Sequence, residues 1–331
     1  MKVIQARYAK RGPVPQDLIE PVTVDLAEPG PGEALVEVLA SPINPSDLLT
    51  LTGMYGVLPE LPATGGNEGV GRIFAVGAEV DSLAAGQLVL LPLGCGTWAS
   101  HVVAAATDLV PLPEGADPQQ LAMLAINPPT AALLLSDIVA LTPGDWVIQN
   151  AANSAVGGYL VKLAAEQGIR TINVVRREGA IAAVQAAGGE TVLVDGEDLP
   201  RRVREVTGGD PVRLGIDAVG GAATERLAAS LGEGGTIVNY GVMSGQPCQI
   251  SPTHLIFRGL TLTGFWLATW YARASGAQRA ALYGDLTRRI ARGELAAKVA
   301  ETYDIGKVKE AVAAAARGER QGKILITPTH S

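Results

Sequence analysis

Residues 145–178 read DWVIQNAANSAVGGYLVKLAAEQGIRTINVVRRE, and their pattern decides the fold. An apolar run, WVIQNA, meets a turn of small residues from Ala151 to Gly157. A helical periodicity follows in VGGYLVKLAAEQG, and then a second apolar run, TINVV. Strand, tight turn, helix and strand in that order make a dinucleotide-binding βαβ unit. The full GxGxxG fingerprint is absent, because the window Ala152-Asn153-Ser154-Ala155-Val156-Gly157 keeps only its last glycine. Small side chains still let the N–H groups of a helix N-terminus approach a phosphate, and Asn153 and Ser154 add side-chain hydrogen bonds. The tip of the second strand carries Arg176 and Arg177 where an acidic residue would hold the 2′-hydroxyl of NAD. Arginine there accommodates a 2′-phosphate, so the expected cofactor is NADPH.

Outward from this stretch, strands and helices alternate from about residue 140 to 267, ending with TIVNYG, a loop and LTLTGFW. Buried strands followed by amphipathic helices predict a doubly wound parallel sheet, an α/β Rossmann domain spanning 123–267. Residues 1–122 differ: VTVDL, ALVEVLAS, GRIFAVG and QLVLLPL are short strands set between Gly- and Pro-rich loops. They predict a β-barrel-like domain. Helical periodicity begins in QQLAMLA and resumes in PTAALLLSDIV. The tail 268–331 holds two helical stretches and a strand, KILITP, and is expected to complete the first domain.

Composition bounds the function. A chain of 331 residues exceeds what one hydrophobic core usually supports, which agrees with two domains. The net charge of −7 and the lack of a basic run give nucleic-acid binding no electrostatic support. Cys95 and Cys248 are far apart, and His101, His254 and His330 are scattered, so neither a disulfide framework nor a cysteine-rich zinc lobe is expected. The N-terminus shows no signal-peptide core and no Arg/Ser-rich leader, and no apolar run could span a bilayer. A cytoplasmic protein is the resulting expectation.

Several segments carry a resemblance: YGVLPELPATGGNEGVG (55–71), INPPTA (126–131), VIQNAANSAVGG (147–158), RTINVVRRE (170–178), YGVM (240–243), LIFRGLTLTGFWL (255–267) and QGKILIT (321–327). Together they resemble the zinc-free medium-chain dehydrogenase/reductases, and among these the NADPH-dependent 2-enoyl thioester reductases. The resemblance covers essentially the whole chain and implies a GroES-like catalytic domain beside the Rossmann domain. Zinc-dependent relatives carry a Cys and a GHE segment where this chain has Asn44 and Asn67. Glu68 remains, but one carboxylate is no metal site, so no metal is expected.

The resemblance implies hydride transfer to the β-carbon of a trans-2-enoyl thioester carried on CoA or acyl carrier protein, followed by protonation at the α-carbon. Tyr55 matches the family's catalytic tyrosine, and a phenol is protonated at neutral pH and able to donate. Asn127 matches a residue near the nicotinamide, although Asn before Pro-Pro-Thr also suits a helix start. Asn153, Ser154, Ala155 and Val156 match the phosphate turn, and Tyr240, Gly241, Val242 and Met243 a cofactor-lining loop. Phe265, Trp266 and Leu267 match a segment reaching the nicotinamide, or Phe265 and Trp266 are sheet-edge aromatics of a dimer contact. Lys323 is either a charge near the cofactor or an edge charge before the last strand, while Trp98 and Trp270 read as packing. A homodimer formed through TLTGFWL is expected, and a zinc-free quinone or enone reductase is the alternative activity.

Overall fold

The computed structural model describes residues 1–318 and 321–328, so His330 lies outside the described residues. The chain forms two units, Met1–Ile126 with Tyr283–Ser331, and Asn127–Leu282. The first begins with β1 (Lys2–Tyr8), β2 (Ile19–Asp25), β3 (Glu33–Pro42), α1 (Pro45–Thr52), β4 (Ala63–Thr64) and β5 (Val70–Val76). It continues through β6 (Leu88–Leu90), β7 (His101–Ala105), β8 (Val110–Pro111) and the short α2 (Pro118–Leu121). β1 pairs antiparallel with β2, placing Lys2 opposite Asp25 and Tyr8 opposite Ile19. β3 is antiparallel to both β5 and β7, and the face they share buries Val36, Val38, Ile73 and Val102.

The second unit contains α3 (Asn127–Ser136), β9 (Trp146–Gln149), α4 (Ala155–Glu166), β10 (Arg170–Val175), α5 (Ile181–Ala186), β11 (Thr191–Val194) and α6 (Leu199–Thr207). After these come β12 (Val212–Asp217), α7 (Ala222–Ser230), β13 (Thr236–Asn239), α8 (Pro252–Arg258), β14 (Thr261–Gly264), α9 (Leu267–Arg273) and the start of α10 (Gly276–Ala291). Its strands lie in the order β11-β10-β9-β12-β13-β14 and all pair in parallel. All four residues of β9 are buried, as a strand covered by helices on both faces must be. α6 turns Leu199, Val203 and Thr207, spaced four apart, onto the core and leaves its arginines outside. The order reverses between β9 and β12, so the crevice outside their carboxyl ends is where such a sheet binds ligands.

The chain then returns to the first unit with β15 (Val299–Tyr303), α11 (Val308–Ala316) and β16 (Lys323–Ile326). β16 pairs with β15 and with β3, where Leu325 faces Pro42. The small residues of α11 let Val308, Ala311 and Ala315 pack in one cluster with Ile43, Trp98 and Ile324.

Three details depart from the sequence reading. Residues 268–282, expected with the first domain, lie in the second unit, where Trp270 Nε1 donates to Asp137 Oδ2 at 3.0 Å. The helix expected at QQLAMLA stops at Leu121, and a new one starts at Asn127. Pro128 and Pro129 lack N–H groups, so they fit only a first turn. The loop expected before the last sheet strand contains α8, whose cap Ser251 accepts from the Thr253 N–H. No described helix is long and apolar enough to cross a membrane.

Candidate active site

In the second unit the nucleotide-type residues gather along one edge of the sheet. β9 ends at Gln149, and Ala151 turns the chain with φ of 49°, a left-handed conformation costly for a residue with a Cβ. Asn153 and Ser154 follow, and Ser154 caps α4 by accepting the Gly157 N–H at 3.1 Å. A Cβ on Gly157 would lie 2.4 Å from the Ala152 carbonyl oxygen, so the turn tolerates glycine alone there. The N–H groups of Ala155 and Val156 belong to the first turn of α4, where the helix favours an anion. Arg176 and Arg177 follow the end of β10, the first exposed and the second half-buried. Tyr240 to Met243 follow β13, and Phe265 to Leu267 follow β14. Parallel strands bring all of these to the same carboxyl edge.

The edge is organised by a residue that the sequence reading did not single out. Asp217, fully buried at the end of β12, accepts from Asn150 Nδ2 at 2.6 Å, Thr224 Oγ1 at 2.6 Å and Asn239 Nδ2 at 3.1 Å. The N–H groups of Val219 and Gly220 donate to it as well, at 2.9 and 3.0 Å. Asn150 closes the network by accepting the Ala218 N–H at 2.7 Å. The signal lay in IDAVG and IQNAA, where polar residues end otherwise apolar strands. Tyr240 is a half-buried residue whose enclosed hydroxyl bonds to Ser154, and desolvation pushes its phenol well above the usual range. Asn127 is buried at the first residue of α3.

In the first unit Tyr55 follows α1. Gly53 ends that helix with φ of 82°, and the Met54 and Tyr55 N–H groups return to the Leu49 carbonyl at 2.8 and 3.2 Å. The half-buried Tyr55 thereby lines a cavity of about 200 Å³ with Tyr8, Asp47, Asn67 and Trp98. Trp98 is fully buried and covers Gly65 so closely that a Cβ there would lie 2.3 Å from its ring. It is a cavity wall as well as packing.

Behind this cavity Asp47 Oδ1 accepts the Asn67 N–H at 3.0 Å, and its Oδ2 accepts the Asn44 N–H at 2.7 Å. Glu68 accepts from Asn44 Nδ2 at 2.7 Å and from the Ile126 N–H at 2.9 Å. Lys323 donates to Asn44 Oδ1. It is 4% exposed on a strand paired on both sides, which corrects the edge-charge reading. Burial pushes Asp47 up to about 6 and raises Glu68 in the same direction, while Lys323 pulls both down. These residues do not fit zinc. Both atoms of the Asn44 amide and both carboxylate oxygens of Glu68 already have partners, and a cation is bonded to the amide. Among the described residues no group of three or more His, Cys, Asp or Glu is placed to hold a metal.

Because Asp47 and Glu68 are raised, the folded chain holds protons that the unfolded chain has released. Their contribution to stability is complete below about pH 4 and is lost as pH rises through about 6, on the order of 3 kcal/mol for Asp47. Urea midpoints should therefore fall between about pH 5 and about pH 8, and fall less in Asp47→Asn. An equal fall in both proteins would refute this assignment.

Comparison with known proteins accords with this geometry. Residues 30–114 match the alcohol dehydrogenase GroES-like domain, and residues 155–281 match a family described as zinc-binding dehydrogenase. The human mitochondrial enoyl-[acyl-carrier-protein] reductase is 38% identical over 319 residues, 95% of this chain and 86% of that protein. A solved complex of Etr1p with NADP and crotonyl-CoA superposes with a TM-score of 0.90 at 28% identity, covering 99% of this chain and 100% of that one. A mycobacterial quinone oxidoreductase superposes at 0.83 with 25% identity, covering 98% and 100%. The human, Xenopus tropicalis and Caenorhabditis elegans relatives are all named mitochondrial, which overturns the cytoplasmic expectation. Composition and fold cannot separate two aqueous compartments, since both ask the same of a protein surface. With so much of both sequences aligned at this identity, the chain belongs to the enoyl-[acyl-carrier-protein] reductases of the medium-chain dehydrogenase/reductase superfamily.

Proposed function

We propose that this protein reduces the C2=C3 double bond of trans-2-enoyl thioesters with NADPH, with Tyr55 as the proton donor. The observation that carries the reading is the Tyr55 cavity. Its walls include Val57, Pro59, Thr64, Gly65, Gly66 and Asn67, all within the YGVLPELPATGGNEG stretch that carries the family likeness. NADPH, when bound, supplies the hydride that goes to the β-carbon. The π electrons then move onto the thioester oxygen as an enolate, which hydrogen-bond donors must stabilise. Return of those electrons to the α-carbon takes up the proton from the Tyr55 hydroxyl and leaves a saturated thioester. Tyr55→Phe should lower turnover of crotonyl-CoA by about 10²-fold while leaving NADPH affinity unchanged. Unaffected turnover would remove Tyr55 from the mechanism.

The second unit supplies residues suited to hold the cofactor. Asn153, Ser154, Ala155 and Val156 suit the pyrophosphate, because Gly157 lets the turn close and α4 presents its N-terminus. Arg176 and Arg177 suit the 2′-phosphate, standing just beyond β10. Tyr240, Gly241, Val242, Met243, Phe265, Trp266, Leu267 and Asn127 are assigned to the nicotinamide half. Replacing Arg176 and Arg177 together by Ala should weaken NADPH by about 10- to 100-fold and NADH far less. Equal loss of both would show that the arginines do not read the phosphate.

The likeness to a quinone oxidoreductase keeps the enone and quinone alternative open to measurement. A kcat/KM for a naphthoquinone above that for crotonyl-CoA would favour it.

The outer strand of this sheet suggests the quaternary state. Among the described residues β14 has no neighbour on one side, and all four of its residues are exposed, as are Ile256 and Phe257 of the preceding helix. A homodimer pairing β14 with its twin about a two-fold axis would satisfy this edge. The Thr261 and Phe265 N–H groups donate towards β13, so the Leu262 N–H faces the open side. Leu262→Pro removes that donor and should shift the protein to a monomer in light scattering; an unchanged mass would place the contact elsewhere.

A further inference from the structure

Asp47, Glu68 and Lys323 are the buried Asp, Glu, Lys or Arg side chains of the first unit among the described residues. Two carboxylates out of water require a cation nearby, and here one ammonium serves both. It acts through Asn44. Lys323 holds the amide oxygen, and the same amide donates its nitrogen to Glu68 at 2.7 Å. An amide polarised at its oxygen is a stronger donor at its nitrogen, so the two bonds reinforce each other. Beyond Glu68 the chain of contacts ends on the Ile126 N–H, next to Asn127, and beyond Asp47 on the Asn67 N–H in the wall of the Tyr55 cavity.

We propose that Lys323 is a positioning residue for thioester reduction: through Asn44 it supplies the buried counter-charge of Glu68 and Asp47, and so sets the backbone at Asn67 and Ile126. This rests on the Tyr55 reading for its kinetic consequence, though not for its structural one. Burial raises both carboxylates and Lys323 lowers both, which fits the same arrangement. Tyr8, on the same cavity wall, is pushed upward by burial and stays a neutral phenol.

The test compares Lys323→Met with Lys323→Met/Glu68→Gln, in which one charge of each sign is gone. Lys323→Met should lower kcat for crotonyl-CoA by about 10²-fold near pH 8 and regain part of it near pH 6, where protonation removes the uncompensated charge. The double variant should recover about 10-fold or more and lose that pH dependence. A lost cofactor contact would not be restored by Glu68→Gln, so rescue separates positioning from cofactor binding. Hydrogen–deuterium exchange at peptides covering Asn67 and Ile126 should rise in the single variant and return in the double, and it decides the matter even if the wild type ignores thioesters. If Lys323→Met does not fold while the double variant does, the proposal stands. If the double variant matches the single in rate and exchange, if neither folds, or if Lys323→Met behaves as wild type, it falls.

Discussion

A carboxylate taken out of water must be met by donors, and each unit of this protein is built around one that is. In the second unit Asp217 collects two amide side chains, a hydroxyl and two backbone N–H groups at the end of β12. It thereby holds the turns after β9, β12 and β13 to one another. In the first unit Glu68 joins α1, through Asn44, to the chain leading into α3, through Ile126. Such networks are stiff because every loosened bond exposes a desolvated charge. Stiffness of this kind is what a site aimed at a small reacting group requires.

The same chemistry explains how a member of a superfamily described by zinc manages without the ligand set. The Asn44 amide donates to Glu68 and accepts from Lys323, and Asn67 offers an amide in place of an imidazole, where thiolate and imidazole would give lone pairs to a metal. Both carboxylate oxygens of Glu68 and both polar atoms of the Asn44 amide have protein partners, one of them an ammonium. Reduction of a conjugated thioester suits this arrangement. Its developing charge lies on an oxygen that hydrogen bonds can stabilise, and its final step is a proton transfer of a kind a phenol can perform.

Much of this was legible in the chain itself, for a local reason. The turn at Ala151–Gly157, the helix after it and the arginines after β10 lie close in sequence, and the periodicity of buried positions is written residue by residue. The Tyr55 loop was legible too, through a long segment shared with a family. Less visible were α8, which a Ser-Pro start signals only weakly, and the early stop of α2 at Leu121, since the apolar spacing of QQLAMLA runs on past it.

From the sequence alone came the alternation of strands and helices, the preference for a phosphorylated nucleotide and the replacement of metal ligands by amides. The first two depend on residue type and near-neighbour spacing, which the linear chain contains; the third came through the family resemblance. Tertiary structure alone decided that Lys323 is a buried partner of Asn44 rather than an edge charge, that Asp217 gathers the carboxyl edge, and that Trp98 walls the Tyr55 cavity. Lys323 and Asn44 are 279 residues apart, and Asn150 and Asp217 are 67 apart. Burial and hydrogen bonding between such positions arise only when sheet pairing brings distant strands side by side, so no local pattern announces them.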